Sequence, residues 1–242
     1  MENEYILEIQ HLTKKFSKKT AVDDLHFSLR KGETVGLLGP NGAGKSTLIK
    51  CIVGLLRPTS GNIFIAGNPR GSRKARQVTA YIPEVPQLYN MLTVWEHLRF
   101  ITDAYEIARW EERAGQLLRL FEIWEQRDEF VKTLSKGMRQ KLSLCCGIIS
   151  GARILFFDEP MVGLDPRAIK NFKDLIQELK EGGRTLFIST HLLDPIENIC
   201  SRIIVLKKGK IIADGSLEEL RSRLGEENAS LEEVFLEVTA DA

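Results

Sequence analysis

Thr34-Val-Gly-Leu-Leu38, running without a break into Gly39-Pro-Asn-Gly-Ala-Gly44-Lys45-Ser46-Thr47, is the stretch on which the reading of this 242-residue chain turns. Its first five residues are a β-rich apolar run preceded by a Lys31-Gly32 turn, and Lys45 to Gly54 reads as a helix. The loop between them has the spacing G-x-x-x-x-G-K-[ST]. Its glycines let backbone N–H groups close around phosphate oxygens, Lys45 can reach the β- and γ-phosphates, and the Ser46 hydroxyl can ligate Mg²⁺. The helix starting near Lys45 aims its positive end at the same anion. A glycine-rich turn without a ligand is the plainer alternative, and the strand–loop–helix setting argues against it. Gly39, Pro40, Asn41, Gly42, Ala43, Gly44, Lys45, Ser46 and Thr47 are therefore the candidate phosphate-binding set.

Outward from this loop, strands alternate with helices. Ile6 to Gln10, Leu25 to Leu29, Asn62 to Ala66, Arg153 to Phe157, Thr185 to Ser189 and Ile203 to Leu206 have strand texture. Pro58-Thr-Ser-Gly61 and Gly67-Asn-Pro69 bracket the third of these with turn chemistry, which suggests a strand near a sheet edge. Val94 to Tyr105, Trp110 to Phe121 and Met138 to Ile149 carry apolar residues at helical spacing. A helical block thus interrupts an α/β pattern. The expectation is one domain over residues 1–242, with a mainly parallel sheet in a core of residues 1–86 and 151–242. A helical insertion would occupy about 87–150 and a helical tail about 216–242.

Composition narrows the function classes. Lys plus Arg total 34 against 33 for Asp plus Glu, so a net charge of +1 gives no electrostatic case for nucleic acid. The longest apolar stretch, Leu142 to Phe157, is interrupted by Ser143, Ser150 and Arg153 and is too short to span a bilayer. The acidic start Met1-Glu-Asn-Glu-Tyr5 lacks a secretory pattern, which gives a cytoplasmic expectation. Cys51, Cys145, Cys146 and Cys200 show no metal or redox spacing and read as buried thiols.

Three further segments carry chemistry. In Ile154-Leu-Phe-Phe157-Asp158-Glu159-Pro160, an apolar strand ends in adjacent carboxylates at the sheet edge where open α/β sheets bind ligands. Asp158 could hold Mg²⁺ through water and Glu159 could orient or deprotonate an attacking water; equally, two acids can simply end a strand in solvent. In Leu134-Ser135-Lys136-Gly137-Met138-Arg139-Gln140, Ser135 and Gly137 could meet phosphate at a helix start, although a simple helix cap looks the same. Gly163-Leu-Asp165 follows the carboxylates. Ser189-Thr-His191 brings a histidine to the same edge, where a purely structural role is the commoner one.

In this order, the segments Gly39–Thr47, Leu134–Met138, Phe156–Glu159, Gly163–Asp165 and His191 resemble the nucleotide-binding domain of an ATP-binding cassette (ABC) transporter, over nearly the whole chain. The resemblance implies an α/β, P-loop NTPase (RecA-like) core with a small antiparallel β subdomain and an inserted helical subdomain. It implies ATP and Mg²⁺, with Lys45, Ser46 and Asp158 in Walker roles, Glu159 as the catalytic carboxylate and His191 as the switch histidine. Phe16 matches the aromatic that stacks on adenine, with Tyr5 its rival. The resemblance further implies a second cassette bound head to tail, so that Ser135, Gly137 and Asp165 serve a shared nucleotide. A separate membrane permease follows too, placing the chain at the cytoplasmic face of the membrane.

Two departures stand out. Tyr81-Ile-Pro83-Glu84 has an acid where many cassettes have glutamine, and Gln87 is three positions out of register; Glu84 could still reach Mg²⁺ or water. Lys136 replaces a common glycine; a cation there could face phosphate or solvent, and solvent is the expectation. These segments and Leu231-Glu-Glu-Val-Phe-Leu236, read as a short docking helix, are most similar to export-type bacterial cassettes. A GTPase would carry Asn-Lys-x-Asp, and no Asn here precedes Lys. A soluble cassette acting in translation or DNA repair is the alternative. Such relatives usually carry two cassettes or a long coiled-coil insertion, and this chain has neither.

Overall fold

Two sheets and the helices wedged around them make up the fold, seen in a computed structural model that describes residues 4–192, 196–197, 199–224 and 230–240. Residues 1–3 of the acidic start and residues 225–229 and 241–242 of the expected tail lie outside the described residues. The strands are β1 (Tyr5–Phe16), β2 (Lys19–Arg30), β3 (Thr34–Leu38), β4 (Ser60–Ile65), β5 (Asn68–Pro69), β6 (Thr79–Ile82), β7 (Ile154–Asp158), β8 (Thr185–Thr190), β9 (Arg202–Lys207) and β10 (Lys210–Gly215). The helices are α1 (Lys45–Ile52), α2 (Arg73–Gln77), α3 (Val94–Ala104), α4 (Glu111–Leu120), α5 (Lys136–Ile149), α6 (Pro166–Glu181), α7 (Leu217–Leu224) and α8 (Leu231–Ala240).

The larger sheet has the order β10-β9-β3-β8-β7-β6, parallel from β9 to β6 with β10 antiparallel at one edge. The smaller sheet, β2-β1-β4-β5, is antiparallel throughout. Strands β3, β7 and β8 are buried along their whole length, as strands covered on both faces must be.

Alternation along these strands sorts two cores. Ile154, Phe156, Phe187, Ile204 and Leu206 pack with α1 and the antiparallel sheet. Leu155, Phe157, Leu186, Ile188, Ile203 and Val205 pack on the opposite face with residues of α3 to α6. The helices α3, α4 and α5 fall between β6 and β7 in sequence and share that second core. Within it α5 is buried from Gln140 to Ile149. Gly147 allows this: a Cβ there would stand 2.4 Å from Ile82 Cγ1.

The observed strands exceed the sequence expectation where side chains are polar. β1 and β2 extend to Phe16 and from Lys19 through half-exposed, irregularly paired residues, with register shifts between Ile9 and Leu12 and beyond. Strand β6, strand β10 and helix α6 were not expected. The first has only four residues, the second is a half-buried edge strand, and the third fully buries only Ala168, Phe172, Leu175 and Ile176, with Ile169 and Leu179 half-buried beside them.

Candidate functional site

The carboxyl ends of β3, β7 and β8 meet where the loop Gly39–Gly44 enters α1. Sterics fix that loop: at Gly44, φ is 113° and a Cβ would lie 2.3 Å from the Ala21 carbonyl oxygen. Because the cap of α1 is this glycine, no side chain satisfies the first backbone N–H groups of the helix. The starts of α3, α5 and α6, by contrast, are capped by Thr93, Ser135 and Asp165. Only α1, among these four, leaves its N–H groups turned to the cleft for an anion.

The cleft has a volume of ≈ 420 Å³ and is lined by Phe16, Lys19, Ala21, Pro40–Thr47, Glu84, Glu159, Val162 and His191. Lys45 is buried, donating to the Gly39 carbonyl at 2.7 Å and standing 3.3 Å from Glu159 Oε1. Beside it, Asp158 is 1% exposed and accepts three hydroxyls. Ser46 at 3.0 Å and Ser189 at 2.7 Å bond Oδ1, while Tyr81 bonds Oδ2 at 3.3 Å. Burial first, then the Asp158 carboxylate, push the Tyr81 phenol well above its ordinary pKa, so it stays a donor.

Glu159 turns out of β7 with φ 49°, a left-handed backbone unusual for a side chain of this size. Its N–H donates to the Ser189 carbonyl at 3.0 Å, and its Oε2 accepts from the His191 backbone N–H at 3.2 Å and lies 2.9 Å from His191 Nδ1. One oxygen thus faces Lys45 and the other is held by His191, a dyad that can hold and orient a water.

Phe16, 44% exposed, closes the far wall with the Lys14 ammonium over its ring; Tyr5 sits at the opposite end of β1 and does not line the cleft. Glu84 lines the cleft, whereas the Gln87 amide donates to Val85.

Three sequence candidates stand apart from this wall. Ser135 caps α5, its Oγ accepting from the Met138 N–H at 3.3 Å. Ser135 and Lys136 are exposed, and Gly137 lies next to them against the Gly163 carbonyl. Asp165 caps α6 and pairs with Lys141 at 2.8 Å; that hydrogen bond holds its carboxyl below the usual range.

Sequence reasoning missed the partners that orient these groups. Tyr81 and Ser189 pin Asp158. Gln140 donates to the Pro160 carbonyl at 3.2 Å while its neighbour Lys141 grips Asp165, so α5 holds the segment after Glu159 at two points. Gln140 and Lys141 sit inside an apolar helical pattern that gave no reason to single them out.

Residues 22–162 match the family model described as ABC transporter. The chain is 37% identical over 243 residues to the ABC-type transporter ATP-binding protein EcsA of Bacillus subtilis (strain 168), covering 98% of this chain and 97% of EcsA. Among solved structures, an ATP binding subunit of an ABC transporter aligns with TM-score 0.92 and 38% identity, covering 97% of this chain and 99% of that one. Also similar is cbiO1 from Clostridium perfringens, described as part of the ABC transporter complex cbiONQ, with TM-score 0.75 and 27% identity over 92% of each chain.

Proposed function

The chain belongs to the ABC transporter ATP-binding family, and on that premise we propose how its cleft binds and hydrolyses ATP to power a separate membrane-embedded permease. The observation that carries the reading is the convergence of Lys45, Ser46, Asp158, Glu159 and His191 at one sheet edge. Lys45, with the free N–H groups opening α1, holds the β- and γ-phosphates. Phe16 stacks on adenine. A triphosphate gives Lys45 a stronger partner than Glu159, which frees Oε1 to accept a proton from water as that water's oxygen bonds the γ-phosphorus. The bond from that phosphorus to the β–γ bridging oxygen breaks, and ADP keeps the electron pair. His191 keeps Glu159 aimed throughout.

The donors Ser46 and Asp158, with Glu84 at the rim, fit Mg²⁺. A cation of this kind would draw on the one or two carboxylates and the hydroxyl offered here, with phosphate and water oxygens supplying the rest. Among the described residues no group of three His, Cys, Asp or Glu side chains could hold a metal ion. When bound it neutralises charge on the β- and γ-oxygens.

Ser135, Gly137 and Asp165 do not line their own chain's cleft, and the exposure of Ser135 supports a second cassette docked head to tail, each completing the other's site. No described helix is long and apolar enough to cross a membrane; the family membership supports a peripheral subunit at the cytoplasmic face, held by its permease. The motifs shared with export-type cassettes favour export.

The test is affinity purification from detergent-solubilised membranes. Recovery of a multi-spanning protein and turnover of Mg·ATP by the assembly are expected, with nucleotide binding lost in Lys45→Ala. Normal nucleotide affinity in that variant overturns the assignment, and recovery of ribosomes or DNA instead of a membrane protein favours a soluble cassette.

A further inference from the structure

We infer that Tyr81 is a positioning residue for the divalent cation, acting through Asp158; the inference rests on the cation role proposed above for Asp158. β7 lies between β8 and β6, and each neighbour pins one oxygen of its terminal carboxylate. On the β8 side Ser189 is the register partner of Asp158 and reaches Oδ1 directly. On the β6 side the partner of Phe156 is Tyr81, two residues back along the strand, about 6.6 Å. A phenol is long enough to cover that gap, and its hydroxyl meets Oδ2.

Among the described residues Tyr81 is the one side chain that bonds Oδ2. Strand β6 ends at Ile82 and Pro83 follows, so no later residue of β6 stands beside Asp158. If Ser46 turns its oxygen to a cation, Asp158 keeps one donor on each oxygen: Ser189 on Oδ1 and Tyr81 on Oδ2. Two donors from two strands fix the rotation of the carboxylate, whereas Ser189 alone leaves it free to turn about one oxygen. Outer partners of this kind typically change metal affinity by about 10–100-fold.

Tyr81 also bears on the acid at position 84. The same short segment carries Glu84 into the cleft, so the hydroxyl that holds Asp158 ties down the base of the Glu84 loop. The ring, meanwhile, packs on the core shared with α1 and lines a second cleft of ≈ 260 Å³ with Val53, Leu55, Arg76 and Tyr105. Removing only the hydroxyl leaves that packing in place.

The experiment titrates Mn²⁺, an EPR-visible stand-in for Mg²⁺, into the ADP complexes of wild type, Tyr81→Phe and Asp158→Asn. Nucleotide affinity in EDTA and thermal melting are measured alongside. Tyr81→Phe is expected to need about tenfold more Mn²⁺ for half-saturation, with unchanged nucleotide affinity in EDTA and a melting point lowered by no more than about a few degrees, the loss of one hydrogen bond. Asp158→Asn is expected to lose Mn²⁺ more completely. Unchanged Mn²⁺ affinity in Tyr81→Phe, with loss in Asp158→Asn, overturns the inference and leaves the cation site standing. Equal losses with and without the cation make Tyr81 merely structural and overturn it as well. Full Mn²⁺ affinity in Asp158→Asn sinks the proposed cation site and the inference together.

Discussion

His97 is sealed inside α3, 2% exposed, where its Nε2 accepts the backbone N–H of Tyr89 at 3.1 Å and its Nδ1 faces the Cys146 sulfur at 3.5 Å. That acceptance fixes the neutral tautomer with the proton on Nδ1, and burial lowers the pKa below the ordinary 6.5. The folded chain therefore binds this proton less readily than the unfolded chain. Stability from this site is complete above pH 6.5 and is lost as pH falls from 6.5 towards the lowered value, with a slope that cannot exceed about 1.4 kcal/mol per pH unit. Urea melts at pH 7.5 and 5.5 should show a smaller acid loss for His97→Gln than for wild type; equal losses contradict the account. Legibility at this scale followed locality. Lys45, Ser46, Asp158 and Glu159 could be picked out as candidates because they stand in contiguous motifs, and the fold brings them to one sheet edge. Tyr81 and Ser189 could not be assigned to Asp158 from sequence, because their contacts depend on strand order. The four thiols were read as buried, and Cys51, Cys145 and Cys146 are, with burial pushing Cys146 up to about 12.

Helix α5 touches α3, α4 and β6 and also holds the segment after Glu159. Its buried length presses on β6 at Gly147, where a Cβ would lie 2.4 and 2.5 Å from the Ile82 side chain. Gly147→Ala gains about 1 kcal/mol of helix propensity but overfills this contact at about 1–3 kcal/mol. The net expectation is a modestly less stable protein, measured as a lower urea midpoint with an unchanged denaturant slope; a raised midpoint would show that Ile82 yields freely. Glycine inside an apolar helix pattern is visible in sequence, but the neighbour that demands it is not. The same limit explains α6: Asp165 and Pro166 form a cap and first turn that could have been recognised, yet its mixed charges hid the apolar stripe. β3, read from Thr34–Leu38, matched residue for residue, since a fully buried strand is bounded sharply by its turn and its loop.

At the scale of the whole molecule, the cleft of one chain and the exposed start of α5 are complementary parts of one proposed site. Glu159→Gln keeps the shape of the side chain and removes its capacity to take a proton. With Mg·ATP it should bind nucleotide, turn over at least about 100-fold more slowly and accumulate a dimer on gel filtration. A monomer at saturating nucleotide would sink the head-to-tail arrangement. The α/β plan was legible in the sequence because its alternation is coarse and its buried strands are apolar, whereas the long, half-polar β1 and β2 owe their extent to each other. The paired grip of Gln140 on Pro160 and Lys141 on Asp165 also bears on transplantation. A helical block borrowed from a relative finds the backbone carbonyl at 160 whatever its origin, but it keeps the second anchor only if the residue at 141 and the acid at 165 come from the same ancestor.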